Sequence, residues 1–235
     1  MFLRCLAAFF APVFFVSAAE TLPFYDVGTA PGAGNFNTDW KGFSKHWQRR
    51  QQDFAASRDA ERGAVFFLGD SITEKADLKK LFPGMAVANR GISGDTTRGM
   101  LYRLENNVLD CEPRAVVLLC GTNDVMQPQP TSAGTAKDVR SMCTAIHARF
   151  PKISVLVLKI MPNVETDRKV IEEFNTAVDK ELARLESVTR VDTYGAFLKA
   201  DGTINNASFV DGVHLNEAGY EIYRKTLAPL LPSNK

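Results

Sequence analysis

Asp211-Gly212-Val213-His214 sets a carboxylate three residues before an imidazole. At that spacing the chain can fold back so that the carboxylate accepts the Nδ1 proton, which fixes the tautomer and leaves Nε2 free as a base. Far upstream, Gly69-Asp70-Ser71 offers a hydroxyl for that base. A serine hydroxyl is nearly inert at neutral pH unless a base removes its proton as it attacks. Ser71 as nucleophile, His214 as base and Asp211 as the group that orients it would together perform acyl transfer. The base is easily chosen, because the chain has three histidines. His46 sits beside Trp47 in a helical stretch, and His147 lies near Arg149 with no carboxylate at a suitable spacing; both read as ordinary surface or packing residues. No His-x-x-x-His or Cys-x-x-Cys pair occurs, so neither a metal nor another cofactor is expected. Taken alone, Asp211 would read as a cap for the helix that follows it.

Such a serine must stand where a strand turns sharply into a helix. Ala64–Leu68 is a short apolar run just before Ser71, and Gly69 is expected to give the turn its freedom. Two further segments also end apolar runs: Asn89-Arg90-Gly91-Ile92-Ser93-Gly94-Asp95-Thr96 and Gly121-Thr122-Asn123-Asp124. From residue 64 onward strand and helix alternate. Strands are expected near 64–68, 85–89, 115–120, 153–161 and 188–192, and helices near 73–82, 97–109, 133–149, 167–186 and 215–230. The strand runs are almost continuously apolar, as in a parallel sheet covered on both faces. In open α/β sheets ligands bind at the carboxyl ends of strands, and Ser71, Gly94 and Asn123 each follow a strand.

The order Ser, Asp, His differs from that of chymotrypsin and subtilisin, and Gly-x-Ser-x-Gly is absent. The four segments together resemble those of the SGNH hydrolases, or GDSL esterases, in that family's order across residues 69–214. The resemblance is greatest to bacterial members with Gly-Asp-Ser-Ile-Thr and Asn-Arg-Gly-Ile-Ser-Gly-Asp-Thr-Thr, related to the catalytic subunits of platelet-activating-factor acetylhydrolase. Ile72 replaces the leucine of the GDSL name. The resemblance implies a flavodoxin-like three-layer α/β/α fold with a parallel sheet in the order 2-1-3-4-5. It also implies an oxyanion hole built from the backbone N–H groups of Ser71 and Gly94 and the side-chain amide of Asn123. Outside these motifs, Gly94 and Asn123 would be plain turn formers. Asp70, Asp95 and Asp124 read as caps or loop braces.

The chain of 235 residues, 45% hydrophobic, suits one well-buried domain. Residues 1–19 read as a secretory signal: Arg4, an apolar stretch through Val16, then Ser17-Ala18-Ala19. That stretch is about a dozen residues, short of the ~20 a spanning helix needs. Residues 20–60 form a lead-in and an accessory helix in which Trp40, Phe43, Trp47 and Phe54 recur at helical spacing; residues 61–235 form the hydrolase domain. The expected location is periplasmic or secreted, without a stable membrane anchor. Charges nearly cancel, 28 basic against 27 acidic, which argues against nucleic acid as a partner. Beyond the signal, Cys111, Cys120 and Cys143 allow at most one disulfide, with Cys111–Cys143 the pair a returning helix could bring together.

The expected activity is hydrolysis of a small-molecule ester of a short acyl group, acetyl foremost, on a carbohydrate or similar alcohol. The alternative is a lysophospholipase or acyl-thioesterase, which needs an apolar groove that Phe82, Met100, Met126 or Phe209 could line. A non-catalytic binding module would have been favoured by loss of Ser71, Asn123 or His214, and all three are present. A flavodoxin-like cofactor binder lacks a phosphate-cradling loop here, Gly32-Ala33-Gly34 having no third glycine.

Overall fold

The computed structural model describes residues 43–127, 132–185 and 187–233. The expected signal over 1–19, the lead-in, Trp40, and the loop residues Pro128 and Pro130 lie outside them. In chain order the elements are α1 (Phe43–Ser57), β1 (Val65–Gly69), α2 (Ser71–Glu74), α3 (Leu78–Leu81), β2 (Val87–Gly91), α4 (Thr97–Asn107), β3 (Ala115–Leu119), α5 (Thr122–Val125), α6 (Ser132–Arg149), β4 (Ser154–Leu158), α7 (Arg168–Leu182), β5 (Val188–Val191), α8 (Thr193–Ala196) and α9 (Glu217–Leu227).

The five strands form one sheet in the order β2-β1-β3-β4-β5, parallel throughout. This is the order the resemblance implied. The central strands β1 and β3 are buried along their whole length because helices cover both faces. On one side α4, α6 and α7 lie against one another; on the other α9 packs with α3 and α8. Burying each Val, Leu or Phe of such strands contributes about 1.5–3 kcal/mol as an upper estimate. The edge strands β2 and β5 can carry Asn89, Arg90, Thr189 and Arg190 because each lacks a neighbour on one side.

Several boundaries differ from the sequence expectation, β4 ending at Leu158 and α7 at Leu182, short of residues 161 and 186. The helix expected over 73–82 is two short ones, because Asp77 Oδ1 accepts the Lys80 N–H at 3.1 Å and starts α3 afresh. The second strand lies two residues later than 85–89: Asn89 and Arg90 stay in the ladder because buried partners satisfy their polar groups. The last helix ends at Leu227, before a single 3₁₀ turn containing Pro229.

Cys111, Cys120 and Cys143 are free and buried, and burial pushes the thiols of Cys120 and Cys143 upward. They behave as small core hydrophobes. Beside the main core a second apolar cluster joins Trp47 and Phe54 of α1 to Ile92, just beyond β2, with Tyr102 packed on it. Half of the aromatic stripe expected in the accessory helix is therefore core. No helix among the described residues is long and apolar enough to cross a membrane.

Candidate active site

Ser71 is the first residue of α2, one position after Asp70 leaves β1. Asp70 Oδ1 accepts the Ile72 N–H at 2.9 Å and caps the helix, which leaves the Ser71 N–H among the unpaired donors of the first turn. Gly69 is needed here for closeness and not for a left-handed turn: its φ is not positive. A Cβ on it would come within 2.0 Å of Thr73 Oγ1 and 2.9 Å of the Leu119 carbonyl oxygen. Gly94 follows β2 with φ +80°, and Asn123 sits in α5 directly after β3. All three positions meet at the carboxyl edge of the sheet, as expected from the strand ends.

His214 comes to this edge on the loop before α9. Its Nε2 lies 2.9 Å from Ser71 Oγ, and its Nδ1 lies 2.7 Å from Asp211 Oδ2. Asp211 Oδ1 accepts the backbone N–H groups of Val213 at 3.1 Å and His214 at 2.8 Å. Partial burial raises the Asp211 carboxyl, but the backbone bond from His214, its imidazole and the Val213 N–H outweigh that and hold it far below the ordinary carboxylate range. The loop closes on itself, with the Val210 N–H on the His214 carbonyl at 2.8 Å. The Val164 N–H meets the Gly212 carbonyl at 3.2 Å, and the Tyr220 hydroxyl donates to the Ile72 carbonyl at 2.7 Å. The loop remains open to solvent: the Asp211 side chain is 53% exposed and that of His214 26%.

The other half of the site is buried. Asn123 Nδ2 donates to the Asp95 carbonyl at 2.7 Å, and the Asp95 N–H closes a turn onto the Ile92 carbonyl at 3.0 Å. The Asp95 carboxylate meets Arg103 Nε at 2.7 Å, both side chains almost wholly buried. Arg103 also donates to the carbonyls of Gly69 at 3.1 Å and Arg90 at 2.8 Å, so one guanidinium ties the ends of β1 and β2 to the turn that holds Gly94. Burial raises the Asp95 carboxyl and lowers Arg103, and their mutual attraction opposes both effects. Asp124 Oδ2 accepts the N–H and hydroxyl of Thr97 at 2.9 and 3.0 Å, bracing α4. Burial pushes the carboxyl of Asp124 up to about 6 and that of Asp70 up to about 7. The three aspartates are a cap and two braces, as their positions suggested.

The arrangement can move a proton from Ser71 Oγ to His214 Nε2 while Asp211 stabilises the resulting imidazolium. It leaves the Ser71 and Gly94 N–H groups and the Asn123 amide on the same edge. Among the described residues no group of three or more His, Cys, Asp or Glu side chains is placed to hold a metal ion. His147 Nδ1 meets the Ser187 hydroxyl at 3.2 Å, away from the site, whereas His46 Nε2 lies 3.0 Å from Glu74, three residues beyond Ser71. Sequence reasoning missed His46, Glu74 and Arg103. Only the closeness of Glu74 to Ser71 in the chain could have signalled one of them.

The chain is a hydrolase of three-layer α/β/α fold that acts on ester bonds. The chain belongs to the GDSL-like Lipase/Acylhydrolase family, whose model matches residues 67–222. It is 29% identical over 193 residues to the human platelet-activating factor acetylhydrolase IB subunit alpha2, covering 79% of this chain and 83% of that one. To the human alpha1 subunit it is 28% identical, over 79% and 82% of the two chains. Among solved structures it resembles a GDSL-like lipase from Bacteroides thetaiotaomicron, with a TM-score of 0.67, 24% identity, and 78% and 95% of the two chains covered. An acetylxylan esterase from Geobacillus stearothermophilus gives a TM-score of 0.59 and 22% identity over 72% and 95%. These two likenesses establish the fold.

Proposed function

We propose that the protein is an exported serine esterase that removes short acyl groups, acetyl foremost, from small alcohols such as carbohydrates. The observation that carries this reading is the unbroken chain from Ser71 Oγ through His214 to Asp211, with contacts of 2.9 and 2.7 Å. Ser71 Oγ attacks the acyl carbonyl as its proton passes to His214 Nε2. The carbonyl oxygen takes the negative charge and accepts from the Ser71 and Gly94 N–H groups and the Asn123 amide. The C–O bond to the alcohol then breaks, and His214 returns the proton to the leaving oxygen. Water, deprotonated by His214, attacks the acyl-Ser71 ester, releasing the acid and restoring the serine.

Short acyl groups are favoured because Phe82, Met100 and Phe209, three of the four residues that could have lined a long groove, are buried in the core. The acetylhydrolase subunits and the acetylxylan esterase among its likenesses bear names that agree with acetyl. Export rests on the pattern of residues 1–19. The test is an ester series from acetyl to palmitoyl assayed with the protein and with Ser71→Ala. Acetyl should be cleaved fastest and the variant should be inactive. Rates rising with chain length would move the assignment to lipid or thioester substrates, and full activity in Ser71→Ala would remove Ser71 as nucleophile.

A further inference from the structure

Helix α1 precedes the segment matched by the family model, yet four of its side chains, His46, Trp47, Arg50 and Phe54, reach the turn that carries Gly94 directly or through Glu74. Arg50 donates from Nε and Nη2 to the Gly91 carbonyl at 3.1 and 3.0 Å. Its Nε also lies 3.6 Å from Glu74 Oε1, and His46 Nε2 lies 3.0 Å from Glu74 Oε2. Glu74 Oε2 in turn accepts the Ser93 N–H. Glu74 thus joins the helix begun by Ser71 to the residue before Gly94. Partial burial raises its carboxyl, but the bonds from Ser93 and His46 outweigh that and hold it ionised below the ordinary glutamate value. Between these polar ties, Ile92 is fully buried against Trp47 and Phe54 of α1.

A second route runs through amides. Gln51 and Asn107 exchange two hydrogen bonds of 3.0 and 2.9 Å, and Asn107 Oδ1 accepts from Arg103 Nη1 at 3.3 Å. Arg103 grips the Asp95 carboxylate. The turn is therefore fixed at Gly91, Ile92, Ser93 and Asp95, with Gly94 between them at φ +80°. The direction of the Gly94 N–H follows from the peptide planes on either side of Ser93 and is not left to the loop itself.

We propose that α1 and Glu74 position the oxyanion hole, with His46 and Arg50 holding the Glu74 carboxylate that fixes the Ile92–Ser93 peptide, next to the Ser93–Gly94 peptide whose N–H is the donor. The inference rests on the reading above of Gly94 and Asn123 as oxyanion donors. His46, Arg50 and Glu74 touch no reacting atom in this scheme and are positioning residues. A donor misplaced by about 1 Å costs on the order of 10²-fold, and an oxyanion donor lost outright costs about 10²–10³-fold.

The test compares Glu74→Gln, Glu74→Ala, His46→Ala and His46→Gln in the full chain with Asn123→Ala on a short-chain ester. Glu74→Ala and His46→Ala should lower kcat by about 10- to 100-fold with KM little changed. Their affinity for phenylboronic acid, which forms a tetrahedral adduct on the serine, should fall by the same factor. The shape of the pH–rate profile should stay unchanged, and His46→Gln and Glu74→Gln should recover part of the loss. Unchanged kcat and boronate affinity in the Glu74 and His46 variants, beside a loss in Asn123→Ala, would overturn this inference alone. So would a kcat loss matched by a falling melting temperature and cured by cooling. Full activity in Asn123→Ala would overturn the oxyanion reading beneath it.

Discussion

The two halves of the site are built by opposite means. The turn carrying Gly94 and the helix carrying Ser71 are held by buried, long-range contacts: Arg103 to Asp95, Gly69 and Arg90, and Asn123 to Asp95. The loop carrying Asp211 and His214 is held mostly by bonds within four residues of chain, joined by one from the Val164 N–H to the Gly212 carbonyl, and its carboxylate faces solvent. The buried half must supply fixed dipoles in a low dielectric, where preorganisation is worth most. The exposed half must move a proton and stay solvated while it does so. Breaking the buried Arg103–Asp95 pair of the first should cost stability and activity together; damage to the second should cost chiefly activity.

The sharpest contrast comes from Asp211→Asn, which preserves shape but donates where it should accept. It should reduce kcat by roughly 10⁴-fold while leaving the urea midpoint within experimental error; a large loss of stability would show the exposed loop to be part of the framework. Arg103→Leu attacks the other half. Leaving Asp95 buried without its partner should cost about 3–5 kcal/mol of unfolding free energy, with activity falling in step. The pair Asp95→Asn with Arg103→Leu should recover much of the stability, and failure of that recovery would mean that the Arg103 bonds to Gly69 and Arg90, not the ion pair, hold the region.

The two halves should also respond to pH with opposite signs. Asp70 has its carboxyl raised by burial from 3.8 to about 7, so the folded state holds a proton that the unfolded chain gives up. Its contribution is fully present below pH 3.8 and is lost as pH rises through about 7. That loss is roughly 4 kcal/mol at most. Asp70→Asn, which can still accept from Ile72, should flatten the decline in denaturation midpoint between about pH 4 and pH 7; an unchanged slope would assign it to Asp124 or elsewhere. Asp211 is depressed, so its contribution is present above the unfolded value and fades only toward strong acid.

The smallest effect is expected from Gly212→Ala. Gly212 has φ +84°, and a Cβ there would come within 2.2 Å of Val164 Cγ2. Left-handed backbone costs a non-glycine residue about 1–2 kcal/mol, enough for roughly a tenfold loss of rate if it displaces His214. Stability should fall by no more than about 2 kcal/mol, and a variant with wild-type kcat would show the loop to be more tolerant than its bonds suggest.

Part of this molecule is legible in the chain because its chemistry lies at element ends. Ser71 follows a run of buried strand residues and Asp211 sits at fixed spacing from His214, so composition and spacing point to them, whereas Gly94 and Asn123 stand out only through the family resemblance. Arg103, Glu74 and His46 escape because the partners that give them their roles, Asp95, Gly69, Ser93 and each other, lie 8 to 34 residues away, and nothing local marks a buried ion pair. His46 looks like a surface histidine in a polar helix until Glu74 is opposite it. The break between α2 and α3 was hidden for a related reason: Asp77 in an otherwise helical stretch acts as a cap only because the chain turns there.

The Tyr220 hydroxyl on the Ile72 carbonyl bears on how the protein comes into being. Ser71 is synthesised early, but its base follows 143 residues later and the tyrosine that anchors its helix later still. A nascent chain thus carries its nucleophile unarmed until those residues have been made. The loop before α9 delivers the imidazole and α9 clamps the helix that bears the serine, so reactivity arrives only as these two segments dock together.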